Sequence, residues 1–123
     1  MTRRPLWRGL FWVYLTALSI ALLWPKLTLP PVMPRPDLVG HYVAFGLFAL
    51  LLCLWNPTLT PRTGVNLLVA FAAGAAYGGV TELLQAIPIL KRSAGWDDWA
   101  ADVLGVVCGL IAYLLLRKLR ASR

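Results

Sequence analysis

Four long apolar runs, separated by segments rich in proline and charge, constrain this chain more than any other feature. They extend from Leu10 to Trp24, reaching back to Leu6 if Arg8 snorkels, from Leu38 to Trp55, from Val65 to Leu90, and from Trp99 to Leu116. A helix needs roughly 20 apolar residues to cross about 30 Å of hydrocarbon; each run approaches that length and the third exceeds it. Hydrophobicity is continuous within each run instead of alternating, and backbone amides in lipid must be bonded within their own segment. Both facts favour helices over strands. The expected fold is therefore all-α: a polytopic membrane protein, a bundle of four transmembrane helices forming a single domain over residues 1–123, with spans at about 6–24, 38–55, 65–90 and 99–116. Pro25, Pro30, Pro31, Pro34 and Pro36 interrupt the first connection, and Asn56-Pro57 through Pro61-Arg62 the second. In the third span, Pro88 marks either a tilt or an early end.

Composition agrees with this reading: 59% of the residues are hydrophobic and 14% charged, against roughly 25% charged in soluble domains. The net charge of +7 does not indicate nucleic acid, because the basic residues crowd at the chain ends beside apolar runs. Arg3, Arg4 and Arg8 ahead of an apolar run imitate a signal peptide, but the run closes on Trp24, Pro25 and Lys26 without a small-residue cleavage site, so it is expected to remain as a span. Cys53 and Cys108 both lie inside apolar stretches and read as packing side chains; with no zinc-type spacing, neither metal nor cofactor is expected. Arg3, Arg4, Arg8, Arg62, Arg117, Lys118, Arg120 and Arg123 fall on one side of a four-span chain, and Lys26, Arg35, Lys91 and Arg92 on the other. The richer side is expected to be cytoplasmic, which puts both termini inside and the first and third connections outside. Trp7, Trp12, Trp24, Trp55, Trp96 and Trp99, near the span ends, suit interfacial anchors.

Polar residues inside such spans are few and agree in depth. Asp37 and His41 are four apart at the start of the second span, Glu82 and Gln85 three apart toward the end of the third, and Asp98 and Asp102 four apart at the start of the fourth. A charge at mid-helix costs roughly 2.5–3.5 kcal/mol on insertion scales, so each of these residues requires a reason. Small residues suggest how they meet: Ala70, Gly74 and Gly78 recur every four residues with Glu82 continuing the row, and Ala101, Gly105 and Gly109 recur likewise beside Asp102. If these two stripes face each other, Glu82 and Asp102 come to similar heights. Two such carboxylates must share a proton or enclose a cation, Arg92 and His41 being the cations at hand.

Plainer readings apply to the same residues. Glu82, Asp102, Gln85, Arg92 and His41 can serve as interhelical glue, a satisfied network that fixes packing. Arg92 can snorkel or pair with lipid phosphate, and one of Asp97 and Asp98 can cap the fourth helix. A functional cluster is the alternative, since ionisable groups within spans tend to mark sites or pathways.

The run Asp37-Leu-Val-Gly-His41-Tyr, then Glu82-Leu-Leu-Gln85, then Arg92 followed six residues later by Asp98, then Asp102-Val-Leu-Gly105 and Gly109, resembles the VanZ-like membrane proteins, named for a member associated with glycopeptide resistance. The resemblance spans about residues 34 to 116 and implies a multi-pass protein of the bacterial cytoplasmic (inner) membrane, linked to lipoglycopeptide tolerance or envelope biology. Asp102 stands where the family pattern suggests Asn, and Gly95 where an acid often follows the arginine by three.

Three functions remain in competition. The first is binding of a lipid-linked, amphipathic or lipoglycopeptide ligand at the outer face through Asp37, His41, Glu82, Gln85, Arg92, Asp98 and Asp102, with Gly74, Gly78, Gly105 and Gly109 as packing positions. The second is acid–base catalysis on a lipid headgroup by His41, Glu82 or Asp102. The third is a structural accessory role without a ligand. Membrane lipids are the expected surroundings, an oligomer is possible, and no nucleic-acid partner is expected.

Overall fold

In a computed structural model the chain is described over residues 3–23, 36–87 and 95–123. Four helices make up the described fold: α1 (Arg4–Leu23), α2 (Pro36–Trp55), α3 (Thr63–Gln85) and α4 (Trp96–Ala121). All four are long and apolar enough to cross a membrane, the make-up of a multi-pass membrane protein. Their outer surfaces fit that setting, because large apolar side chains such as Val13, Leu68, Leu83 and Leu104 point away from the bundle. Soluble monomers rarely expose apolar surface on this scale.

Two boundaries differ from the sequence expectation. The third helix stops at Gln85, short of Leu90 and in line with the early end offered by Pro88, with Ala86 as its C-cap. The fourth runs to Ala121 and takes in Arg117, Lys118 and Arg120, whose basic side chains suit the carbonyl-rich end of a helix. Gly95 in extended conformation is its N-cap; Asp97 and Asp98 lie in the first turn, and neither is the cap.

Polar side chains join the helix ends. At one end of the bundle Arg4 donates to the carbonyls of Trp55 (3.3 Å), the last residue of α2, and of Asn56 (2.9 Å), just beyond it. Asn56 takes a left-handed conformation (φ 49°), which asparagine tolerates better than most residues, and its side-chain amide donates to Thr60 O across the α2–α3 connection. Arg117 donates to Thr63 Oγ1, closing α4 against the start of α3. Phe11, Phe45, Phe48 and Tyr77 fill the centre, with Phe48 and Tyr77 stacked at 5.3 Å.

The two small-residue stripes do not face each other as the sequence suggested. A Cβ at Gly105 would strike the carbonyl oxygen of Tyr42, and one at Gly109 that of Gly46, so the α4 stripe lies against the backbone of α2. That pair has the most extensive contact in the fold. The α3 stripe instead receives α4 side chains: a Cβ at Gly74 would lie 2.5 Å from Val106 Cγ2, and one at Gly78 would lie 2.9 Å from Asp102 Oδ2. Each stripe thus meets a different neighbour, because Asp102 and Val106 leave α4 on a face next to, not on, its glycine row.

Candidate functional site

At the end of the bundle where α2 and α4 begin and α3 ends, three ionisable side chains from three helices converge. His41 Nδ1 and Asp102 Oδ1 are 2.6 Å apart, a short contact typical of a charge-assisted hydrogen bond. Glu82 comes in from α3, and one donor atom from each of His41, Glu82 and Asp102 lies within 4.8 Å of the others. All three are buried, with 8%, 6% and 0% of their surface exposed. The close packing at Gly78 and Gly105 makes this possible: Gly78 leaves room for the Asp102 carboxylate, and Gly105 lets α2 bring His41 alongside α4. Phe45, one turn along α2, lies parallel to the His41 ring at 6.4 Å.

The hydrogen bonding of the two carboxylates is incomplete. Glu82 Oε2 accepts the Gly95 backbone N–H at 3.0 Å, so the N-cap of α4 holds the carboxylate of α3. Glu82 Oε1 and Asp102 Oδ2, however, are buried with no hydrogen-bond partner among the described residues. A buried acceptor left unmatched costs about 1–3 kcal/mol, more when charged. Among the described residues, the pair therefore either holds a proton or has capacity for a further partner.

The other sequence-selected residues take different positions. Gln85 is buried but turns toward α1, its Nε2 donating to Leu22 O at 2.7 Å, so it ties α3 to α1. Asp98 is half-buried one turn before Asp102, and its backbone N–H is bonded by Asp97 Oδ1 at 3.1 Å. Asp37 lies in the first turn of α2, its side chain outside what is described; Arg92 lies outside the described residues altogether. Trp99, expected as an interfacial anchor, joins two helices: its indole N–H donates to Ala75 O at 3.1 Å across the α3–α4 interface.

Beside the cluster a crevice of about 550 Å³ separates parts of α3 and α4. Ala76, Gly79, Val80, Leu83, Trp96 and Trp99 supply its apolar walls, and among the described residues Glu82 is the ionisable one on its lining. The exposed side chains of Val80, Leu83 and Trp96 place its mouth on the apolar flank of the bundle.

Several further polar side chains anchor the helices to one another. Asn66 is buried on α3, its amide donating to Cys53 O at 3.1 Å and Tyr113 Oη at 3.4 Å. Tyr14 Oη donates to Ala44 O at 2.5 Å, and the Ser19 and Tyr77 hydroxyls are 2.7 Å apart. An amide inside an apolar run was the available signal for Asn66. The small-residue rows and the spacing of polar residues already pointed to Glu82 and Asp102 meeting near His41, but not to donor atoms within 4.8 Å, because the three are spread over three helices and 62 positions of sequence. No protein-family model matches the chain, nor does any curated protein or solved structure.

Proposed function

We propose that this protein binds an amphipathic or lipid-linked ligand, its apolar part in the α3–α4 crevice and its polar part at Glu82. The observation that carries the reading is the crevice itself: apolar walls open on the flank of a membrane bundle, with one buried, incompletely bonded carboxylate on the lining. Such a site suits ligands entering sideways from the bilayer. Carboxylate oxygens accept hydrogen bonds, so hydroxyl, amide or ammonium groups match Glu82 better than a bare phosphate does. The excess of basic residues at the opposite end of the spans supports placing this site in the outer leaflet. The motif resemblance to VanZ-like proteins supports a bacterial inner-membrane setting and a role in tolerance to teicoplanin-type glycopeptides.

The test is to purify wild type and Glu82→Ala in mild detergent and identify bound molecules by mass spectrometry. An amphiphile near one per chain in wild type, lost from a Glu82→Ala protein that still elutes as a single species, is expected. Equal retention in both proteins sinks the reading.

A second reading rests on the 2.6 Å His41–Asp102 contact, which orients an imidazole as a general base requires. It makes the protein an enzyme acting on a headgroup. Incubation with envelope lipids then yields a new product with wild type and none with Asp102→Asn; no product with wild type removes it.

A further inference from the structure

The geometry points to a divalent transition-metal site formed by His41, Glu82 and Asp102, a Zn²⁺-type centre with one imidazole and two carboxylate donors. The inference goes beyond the ligand reading and stands without it. Three observations support it. The donor atoms come from three separate helices yet lie within 4.8 Å of one another. Ligands sharing one zinc at bonds of about 2.0–2.2 Å are separated by roughly 3–3.5 Å, so movements of about an ångström, within reach of side-chain rotation, bring these three onto one ion. Second, Glu82 Oε1 and Asp102 Oδ2 are buried acceptors with no partner among the described residues.

Charge is the third. Two ionised carboxylates beside one imidazolium leave a net negative charge unless one of them holds a proton, whereas two carboxylates, a neutral imidazole and a divalent cation sum to zero with both carboxylates ionised. Neutrality matters most where water is scarce, as it is around residues 0–8% exposed. The donor set selects among cations. Imidazole favours zinc and its neighbours over calcium or magnesium, and the absence of sulfur from the trio disfavours copper(I). Outer contacts are also in place: the Gly95 N–H holds Glu82 Oε2, and Phe45 packs along the His41 ring. Three protein donors leave a coordination position open, as catalytic zinc sites do.

His41 is the only histidine in the chain, which makes the inference directly testable. A tag-free full-length chain in detergent, stripped with chelator and titrated with Zn²⁺, is expected to take up about one ion per chain, read by elemental mass spectrometry. X-ray absorption of the loaded wild type is expected to show a single imidazole with oxygen neighbours at about 2.0–2.1 Å. Glu82→Gln and Asp102→Asn are expected to weaken uptake by more than the roughly 10- to 100-fold that loss of an outer contact costs. Uptake far below one per chain, or a shell lacking imidazole or containing sulfur, overturns the inference. The spectroscopic readout needs no variant, so a misfolded mutant does not blunt the test. Metal uptake without a co-purifying amphiphile, or the reverse, separates this inference from the ligand reading.

Discussion

At Gly105 and Gly109 an added Cβ would press into the carbonyl oxygens of Tyr42 and Gly46, which belong to the α2 backbone and cannot rotate aside. Gly40, also helical, has nothing within 4 Å of the same position. The two kinds of glycine should respond to alanine with opposite signs. Gly105→Ala is expected to lose about 1–3 kcal/mol or more from overpacking. Gly40→Ala is expected to hold or gain up to about 1 kcal/mol through helix propensity. Unfolding in mixed micelles measures both, and equal effects would deny the α2–α4 backbone contact. Asn66 offers a comparison in hydrogen bonding. Replacing it with alanine removes donors to Cys53 O and Tyr113 Oη, and interhelical bonds in membranes average about 0.6 kcal/mol with a ceiling near 1.7. Asn66→Ala should therefore cost about 1 kcal/mol in the same assay, well below Gly105→Ala.

Among elements, the four spans were legible because continuous apolar length is a one-dimensional signal, and the helices fall where the runs do. Which helix faces which was not. The rows Gly74–Gly78 and Gly105–Gly109 announce close packing, but a stripe names its own face and not its partner. Only the angular offset of Asp102 and Val106 from the α4 glycines separates facing α2 from facing α3. The α3–α4 contact is testable as a size exchange. Gly74→Ala would place a Cβ 2.5 Å from Val106 Cγ2, so alone it is expected to destabilise by about 1–3 kcal/mol. Val106→Ala in the same chain removes the obstructing methyl groups, and the double variant should be more stable than the two single losses predict by about 1 kcal/mol. Strict additivity would mean that Gly74 and Val106 do not touch.

For the whole molecule, the site was legible in depth but not in detail. Spacing put His41, Glu82 and Asp102 near one end of the bundle, and the fold brings them within 4.8 Å. Gln85, on the same helix as Glu82, turns to Leu22 instead, because three residues of helix rotate it toward α1. Depth alone does not give sidedness, which depends on charges outside the spans. Eight of the twelve basic residues fall at the end opposite the cluster, including Arg4, Arg62, Arg117 and Arg120, and the positive-inside rule then predicts that the cluster lies in the outer leaflet. Single cysteines decide this in a background where Cys53 and Cys108 are replaced by alanine. Asp97→Cys reports the cluster end and Ser122→Cys the other; both positions are exposed. A membrane-impermeant thiol reagent should label Asp97→Cys in intact cells and Ser122→Cys only after the membrane is opened. The reverse pattern would place the carboxylates toward the cytoplasm, where an external glycopeptide does not reach them, and would leave only ligands of the inner leaflet for the crevice.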